Sequence, residues 1–347
     1  MTEKPFENAP ASPPRRLLQM LDGMWITQAL YVAARLGLAD LLGEGSRSLS
    51  ELAAATQADG SSLYRLLRAL GSIDTFQEIQ PAIFANTDLS MYLRSDQPAS
   101  LYHVALVRGS EWHWRTWGEL VYSVQLGRPS FDLFHGMTFQ KYLAHDLGMG
   151  RLYHKAMLDL SNVIGGPVAT AYDFSSLHKL VEYAGGNGML LPLILACSPM
   201  LRGTLLLERI DWAEHAKARL ARQGLAQRCE VVTGDVLTHL ISSRADAILL
   251  THALHLHSDE ENQRLLRACY QALSPAGKLL VCEQIVPPAP QKTSPSLIAD
   301  LDVLVHTREG RERTEAGYLA LLEAAHFSLV QVIPTTSPHS LLEAVPR

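Results

Sequence analysis

The sequence has few of the features that mark secreted, membrane-spanning or zinc-binding proteins. Its cysteines form no CxxC pair and show no metal-ligand spacing, which is typical of a reducing compartment and predicts no metal site. They are Cys197, Cys229, Cys269 and Cys282. The longest apolar run, residues 189–197, is too short to span a bilayer and is interrupted by a proline. The N-terminus lacks the apolar stretch of a secretion signal. We therefore expect a cytoplasmic, metal-free protein with no membrane partner.

The chain also lacks an excess of positive charge. It has 30 Lys+Arg against 35 Asp+Glu, a net charge of -5, and its first hundred residues hold 8 basic and 11 acidic side chains. A surface that neutralises phosphates is basic, so we expect no nucleic-acid partner. The chain does have enough apolar side chains to form a buried core. Its 347 residues, 47% of them hydrophobic and 19% charged, predict about two folded domains.

The first part of the chain has helical periodicity. Residues 1–14 contain four prolines and few large apolar side chains, so we interpret them as a flexible tail. In residues 17–42, apolar side chains recur at intervals of three and four, which is typical of a helix with one buried face. The apolar side chains of this stretch exceed what one small domain covers, which favours a homodimer interface.

A compact helical unit with a small hairpin is predicted next. Ser48 and Glu51 form a capping-box pattern at the start of a short helix. Ser61 is expected to begin a further helix, and residues 75–87 have the β-branched and aromatic content of a hairpin. The order helix, helix, helix, hairpin is that of a winged-helix unit, which we place at residues 15–108. Because this unit is acidic, dimerisation is favoured over DNA binding.

Residues 109–170 are expected to be a helical linker that contributes to a substrate pocket. Aromatic and sulfur-containing side chains are frequent here, and ordinary core packing accounts for most of them. A few are predicted to line an apolar pocket for a flat substrate. The candidates are Trp117, Phe131, Phe134 and Met137.

Residues 171–347 alternate between short apolar runs and helical patterns. This alternation predicts an α/β fold with a doubly wound, mostly parallel sheet. The predicted strands are KLVEYA, GTLLLE, CEVVTG, ADAILLTHAL, GKLLVCEQIV and FSLVQVIP.

The ends of the first three strands carry groups that suit a nucleoside. Glycines after the first strand let the backbone approach a ligand, an acidic side chain ends the second strand, and a Gly-Asp pair ends the third. These residues are Glu182, Gly185, Gly186, Gly188, Glu208, Gly234 and Asp235. The pattern leaves a dinucleotide and an adenosyl cofactor both open. The absence of nearby basic residues, which a pyrophosphate would need, favours the adenosyl cofactor.

Residues 180–288 resemble the two-domain, S-adenosylmethionine-dependent small-molecule O-methyltransferases of bacterial secondary metabolism and plant phenolic metabolism. The resemblance extends over nearly the whole chain and includes GRERT at residues 310–314. It implies a class I methyltransferase fold, which is Rossmann-like, behind a winged-helix-like dimerisation domain, with S-adenosylmethionine as cofactor. The glycine turn would bind methionine and ribose, Glu208 the ribose and Asp235 the adenine side. Val236 or Leu237 would pack on the adenine, and Thr251 would lie near the cofactor.

The resemblance also implies a catalytic group. The segment THALHLHSDEEN matches the stretch that bears the catalytic histidine of the family, which falls on His255, and Glu283 and Glu312 match its two flanking carboxylates. A histidine with an ordinary pKa near 6.5 takes the proton of a phenol, and a carboxylate beside it orients the ring. The histidines at 252, 255 and 257 are expected to alternate at one strand end, with His257 beside the substrate.

The sequence departs from the family at a few positions. Glu182 stands for the usual Asp, Ala184 for the leading glycine, Leu256-His257 for Asp-Trp, and Thr251 for a common Lys. The leading hypothesis is an O-methyltransferase that acts on a phenolic or hydroxylated small natural product. An alternative is an enzyme of secondary metabolism with the same fold that catalyses hydroxylation, decarboxylation or a pericyclic step. A third is a winged-helix regulator with a ligand-sensing α/β half.

Overall fold

The computed structural model describes residues 12–184, 188–207, 209–234, 244–289 and 294–347. They form two compact units, Met1–His113 and Trp114–Arg347. Most of the predicted N-terminal tail lies outside the described residues. Within the described ranges, no helix is long and apolar enough to cross a membrane.

The first unit consists of helices packed on a small antiparallel sheet. Its helices are α1 (Pro13–Leu21), α2 (Gly23–Arg35), α3 (Leu38–Leu42), α4 (Leu49–Thr56), α5 (Gly60–Gly71) and α6 (Tyr102–Arg108). Its strands β1 (Ser46–Ser48), β2 (Phe76–Gln80) and β3 (Ile83–Asn86) lie in the order β1-β3-β2. The predicted hairpin is confirmed as β2 and β3. Leu38, Leu52, Leu67, Phe76 and Phe84 form much of the core.

Local chemistry explains where these helices begin and end. Helix α1 begins at Pro13, inside the segment predicted to be a tail, because proline is favoured in a first helical turn. The predicted stretch 17–42 is interrupted at Gly37, which adopts a φ of 64°. The capping box of Ser48 is confirmed. The predicted start of α5 at Ser61 was wrong, because Asp59 is the N-cap and accepts a hydrogen bond from the Ser62 N–H.

Helix α7 (Glu111–Gly118) spans the division between the units, and helices continue to residue 171. They are α8 (Leu120–Leu126), α9 (Ser130–His135), α10 (Phe139–His145) and α11 (Leu147–Ala171).

The second unit is built on a mostly parallel sheet, as predicted. Its order is β10-β11-β8-β7-β4-β5-β6, and only β11 runs antiparallel to its neighbours. The strands are β4 (Lys179–Ala184), β5 (Arg202–Leu207), β6 (Cys229–Thr233), β7 (Ala245–Thr251), β8 (Leu273–Val286), β9 (Arg313–Thr314), β10 (Phe327–Pro334) and β11 (His339–Pro346). The helices are α12 (Leu190–Cys197), α13 (Ile210–Arg222), α14 (Asp259–Ala272), α15 (Pro295–His306) and α16 (Glu315–Ala324).

Several elements of this unit were not predicted from the sequence, among them the short strand β9. Helix α15 and strand β11 are both part of the described fold. The expected alternation of strand and helix missed β11 because β10 and β11 are antiparallel, so a short turn connects them and no helical crossover is needed.

The sheet brings three strand ends together. Strand β7 lies between β4 and β8, and all three run in the same direction. Apolar side chains of the two large core clusters bury both faces of the sheet, so its central strands are rigidly held. Polar side chains at the carboxyl ends of β4, β7 and β8 therefore meet at one edge of the sheet, where open α/β folds bind ligands.

Candidate active site

A histidine and a carboxylate form the centre of the site. Nδ1 of His255 lies 2.7 Å from Oε2 of Glu283. The other carboxylate oxygen, Oε1, accepts hydrogen bonds from the backbone N–H groups of Ala253 (2.9 Å) and Leu254 (2.7 Å). Fully buried Glu283 therefore holds both the ring and the backbone of the turn. Because Nδ1 carries the proton that faces the carboxylate, Nε2 is the ring nitrogen that is left to accept a proton.

The three histidines do not alternate on a strand end, so that prediction was wrong. Strand β7 ends at Thr251, and His252 turns the chain with a φ of 50°. His255 lies on a 3-10 turn, Leu254–Leu256. His257 follows this turn and is half-buried, with Nδ1 3.8 Å from a carboxylate oxygen of Glu261. Because the chain turns at His252 and again at the 3-10 turn, the three imidazole rings do not follow the alternating side-chain directions of a strand.

The protonation states of the pair follow from burial and charge. Burial alone lowers the pKa of His255, but the charge and hydrogen bond of Glu283, with a smaller contribution from Glu312, raise it to about 9. Burial alone would raise the pKa of Glu283, but the charge and hydrogen bond of His255 lower it to about 2. Burial raises the pKa of Glu312 to about 7. His255 is thus a stronger base than its ordinary pKa near 6.5 predicts.

Two buried side chains that the sequence analysis did not single out hold the turn in place. Arg313 donates to the carbonyl oxygens of Leu254 (2.8 Å) and His257 (3.1 Å). Asn262, on α14, donates to the same two carbonyls at 2.8 and 3.3 Å. Asp259 in turn accepts a 2.7 Å hydrogen bond from Arg313. The carbonyl oxygens of Leu254 and His257, on either side of His255, therefore each accept two side-chain hydrogen bonds.

The GRERT segment packs directly against this turn. A Cβ at Gly310 would lie 2.5 Å from the carbonyl oxygen of His255 and 2.6 Å from Oγ1 of Thr307, so only glycine fits. Glu312 is buried, and its N–H donates to Asp300 on α15 at 2.8 Å. The motif thus supplies a close backbone contact and a carboxyl group to the surroundings of His255.

A second group of polar side chains lies at the same edge of the sheet, on β4 and at the end of β7. Glu182 is fully buried, and its Oε2 accepts a 2.9 Å hydrogen bond from the N–H of Leu191 at the start of α12. Burial raises the pKa of Glu182 to about 7. Oε1 of Glu182 and Oγ1 of Thr251 are also buried, and a hydrogen bond from Thr251 partly offsets the effect of burial on the pKa of Glu182. Two adjacent side chains with buried polar atoms at this edge of the sheet suit a polar ligand.

The glycines of the predicted cofactor turn differ in what they do. Gly188 has a φ of 61°, and a Cβ there would lie 2.4 Å from Leu205 of β5. It therefore allows close packing of α12 on the sheet. Gly234 ends β6 with a φ of 133°. The other predicted cofactor residues lie outside the described residues: Gly185, Gly186, Glu208, Asp235 and Val236.

The predicted substrate-binding side chains differ in burial and in the side chains that they contact. Phe131 is fully buried and packs on His135, Phe139, Tyr142 and His306. Half-buried Trp117 donates from Nε1 to Asp302 of α15 at 2.9 Å. Met137 is half-buried, and Phe134 is exposed.

Both parts of the chain match models of known families. An O-methyltransferase domain matches residues 117–328, and an O-methyltransferase dimerisation domain matches residues 18–96. The chain belongs to the S-adenosylmethionine-dependent O-methyltransferase family. The recognition made from the sequence is thereby confirmed, and the hypothesis of a winged-helix regulator loses its support because the helical half matches a dimerisation domain of this same family.

Similar enzymes of this O-methyltransferase family come from bacterial secondary metabolism. The phenazine O-methyltransferase of Lysobacter antibioticus is 36% identical over 95% of each chain. The mitomycin biosynthesis 6-O-methyltransferase of Streptomyces lavendulae is 36% identical over 96% of this chain and 94% of its own. The crystal structure of LaPhzM superposes with a TM-score of 0.90 at 35% identity, covering 97% of this chain and 100% of that chain.

Relatives in the family differ in reaction. A phenazine-1-carboxylate N-methyltransferase of Pseudomonas aeruginosa is 30% identical over 94% of this chain and 96% of its own. The aclacinomycin 10-hydroxylase of Streptomyces purpurascens is 34% identical over 77% of this chain and 72% of its own. Membership of the family therefore leaves the atom that is modified open.

Proposed function

We propose that this protein methylates a hydroxyl group of a phenolic or hydroxylated small natural product, with His255 as general base. The observation that carries the proposal is the His255–Glu283 pair. A hydroxyl near Nε2 would give its proton to His255, and the ionised carboxylate of Glu283 would stabilise the imidazolium that forms. A base with a pKa of about 9 also matches a phenol, whose pKa is about 10, so proton transfer is nearly balanced in energy.

The residues at the ends of β4 and β7 suit the cofactor of the family. When bound, S-adenosylmethionine supplies an electrophilic methyl group. Glu182 is a fully buried carboxyl group on β4, and its oxygen Oε1 is suited to the ammonium group of the cofactor's amino-acid part. Thr251 offers a hydroxyl at the adjacent strand end. By the family resemblance, Gly185, Gly186, Glu208, Asp235 and Val236 would complete the cofactor site.

We propose that the catalytic groups are His255 as base, Glu283 as its orienting partner and Glu312 as a second carboxyl group. The burial of Glu312 and its effect on the pKa of His255 support this role. His257, Trp117, Phe134 and Met137 remain the proposed contacts with substrate, and the full burial of Phe131 supports a role in packing behind them.

We also propose that the protein is a homodimer that associates through its first unit. The match of residues 18–96 to a dimerisation domain supports this, as do the exposed apolar side chains of α1 and α2. The side chains are Leu17, Leu18, Met20, Leu21, Met24 and Trp25.

The experiment that tests the activity uses methyl-labelled S-adenosylmethionine with a panel of phenols and anilines. We expect label in the phenol products and a turnover that falls about 10²–10⁴-fold in His255→Gln, because the substitution removes the base. Cofactor affinity, measured by calorimetry, should not change. His178→Gln is the matched control, since this ring is 87% exposed, and it should behave as wild type. Turnover of His255→Gln within a few fold of wild type on a phenol with a pKa near 10 would refute the assignment of the base.

Two alternatives are separated by the same experiment. The hydroxylase relative and the departures at Ala184 and Leu256 favour an enzyme that has lost methyl transfer. It would bind the cofactor without transferring label to any acceptor of the panel.

The N-methyltransferase relative favours a second alternative, transfer of the methyl group to nitrogen. An uncharged amine has a free lone pair, so transfer to an aniline should depend little on His255.

A further inference from the structure

Two imidazoles and one carboxylate lie together beyond the end of β7 and on β8. One ligand atom each of His252, His255 and Glu283 lies within 4.8 Å of the others. His339, the first residue of β11, adds a third ring, whose centroid is 4.5 Å from that of His252. These residues come from β8, β11 and the segment after β7, so no spacing in the sequence reveals them.

The ring nitrogens of His339 have unused hydrogen-bonding capacity. The residue is 3% exposed, and within the part of the chain that the structure describes neither buried nitrogen has a hydrogen-bond partner. Burial of a polar group without a partner is unfavourable, so such a ring points to a ligand. Its neighbour His252 adopts a φ of 50°, a left-handed conformation that is uncommon outside glycine and concentrated at functional sites.

The donor set is one that transition metals prefer. Imidazole nitrogens and a carboxylate oxygen bind Zn²⁺ and other divalent first-row ions, and tetrahedral zinc has bonds of about 2.0–2.1 Å. Two ligands of such an ion are roughly 3.3 Å apart by this geometry. Nδ1 of His255 and Oε2 of Glu283, now 2.7 Å apart, would reach that separation by small side-chain rotations.

We propose that His252, His255 and Glu283 form a binding site for a divalent first-row metal ion, with Zn²⁺ as the preferred ion and His339 packed beside it, and that the bound ion inhibits the enzyme. The ion replaces the proton that lies between Nδ1 of His255 and Glu283, and that proton is released to solvent. Nε2 of the metal-bound neutral ring then carries the remaining proton, so His255 cannot accept one from a substrate. The inhibition rests on the proposed function, whereas the metal site does not.

The binding test uses the full-length protein after treatment with a chelator, and Co²⁺ as a spectroscopic probe. We expect one Co²⁺ per chain, with visible absorption of a four-coordinate ion, and displacement by Zn²⁺. His339→Leu should weaken binding at least about tenfold, because it removes the ring that packs on the ligand His252 and holds it in place. His178→Leu removes an imidazole that is 87% exposed and should bind as wild type. Because His339→Leu also removes two unsatisfied buried nitrogens, it should fold, and His339→Phe is a second replacement.

The inhibition test measures methyl transfer with and without Zn²⁺. Wild type should lose activity as Zn²⁺ fills the site, and His339→Leu should keep the metal-free turnover and resist Zn²⁺ at least about tenfold better. Absence of a Co²⁺ spectrum in wild type, or equal affinity in wild type and His339→Leu, would overturn the site. Binding without inhibition would overturn its regulatory role. Co²⁺ binding by a chain with no methyl transfer would refute the proposed function and leave the metal site standing.

Discussion

The strength of His255 as a base is set by its neighbours. Burial disfavours the imidazolium, but the ionised carboxylate of Glu283 at 2.7 Å and the nearby Glu312 favour it more strongly. With a pKa of about 9, roughly one His255 in a hundred is neutral at pH 7 in the free enzyme. The proposed reaction therefore needs a minor protonation state, and its rate should depend steeply on pH.

The first prediction concerns this pH dependence. Because only neutral His255 accepts a proton, kcat/KM of wild type on a phenol should rise about tenfold per pH unit from pH 7 and level off near pH 9. In Glu283→Gln the carboxylate charge is removed, so the pKa of His255 should fall toward its ordinary value and the rise should move to lower pH. The measurement is a kcat/KM profile of both proteins with one acceptor.

Glu283→Gln should also turn over more slowly at its own optimum, since the amide orients the ring without stabilising its charge. The matched control is Glu323→Gln, which removes an exposed carboxylate that pairs with Arg347. An unchanged profile in Glu283→Gln would show that another group sets the pH dependence.

At the scale of elements, the 3-10 turn that carries His255 has little stability of its own. A turn this short makes few internal hydrogen bonds. Its position depends on contacts from β8, α14 and the GRERT segment, which bind the carbonyls and N–H groups on either side of the catalytic ring. Changes in these supports should reduce turnover more than substrate binding.

Arg313 is expected to position the turn through its fork of donors. Arg313→Lys keeps the charge near Asp259 but cannot donate to both carbonyls, so kcat should fall roughly 10–100-fold with little change in KM. Arg311→Lys is the control, because Arg311 also binds Asp259 but lies on the surface. Steady-state kinetics of the two variants should separate them, and equal kinetics would contradict the positioning role.

Turnover is expected to be as sensitive to a side chain at position 310 as to a change at Arg313. Gly310→Ala places a methyl group 2.5 Å from the carbonyl oxygen of His255, so the turn or the GRERT segment must shift. Turnover should fall by about 10²-fold, the effect of displacing a catalytic group by about 1 Å. Gly166→Ala, where a Cβ meets nothing within 4 Å, is the control and should leave turnover unchanged. Normal kinetics for Gly310→Ala would show that the contact has no catalytic consequence.

The residues and elements differ in how far the sequence predicted them. His255, Glu283 and Glu312 were identified by resemblance to a family, and the strands β4 to β7 by their uninterrupted apolar runs. Asn262 and His339 were not identified, because an isolated Asn in a helix and a His at the start of a strand have no distinctive local pattern. Only the packing of distant segments gives them their contacts with the turn.

At the scale of the whole molecule, the first unit presents an apolar surface on α1 and α2. None of the residues of α1 is buried, although four of its nine residues carry large apolar side chains, and Trp25 of α2 is 67% exposed. A soluble monomer rarely leaves such a patch uncovered, so a second copy of the chain is expected to bury it.

The prediction for assembly is a homodimer at micromolar concentration, measured by light scattering coupled to gel filtration. Trp25→Glu should shift the protein toward monomer, because a charge in the interface is costly to bury. Met200→Glu is the control, since Met200 is 85% exposed and lies in the second unit. A monomeric wild type, or dissociation by Met200→Glu to the same extent, would contradict an interface on α1 and α2.

The sequence by itself determined the local and periodic properties of this protein. Apolar periodicity predicted the helices of the first unit, since burial of one helix face requires a regular spacing. Uninterrupted apolar runs predicted the mostly parallel sheet, since both of its faces are buried. Capping chemistry placed the start of α4 at Ser48, and the motifs indicated the family. Only the tertiary structure decided the antiparallel insertion of β11, the 3-10 turn of His255 and the pKa of that ring. All three depend on contacts between segments that are far apart in the chain. Packing of the whole second unit brings Glu283 to 2.7 Å from His255 and places β11 beside β8.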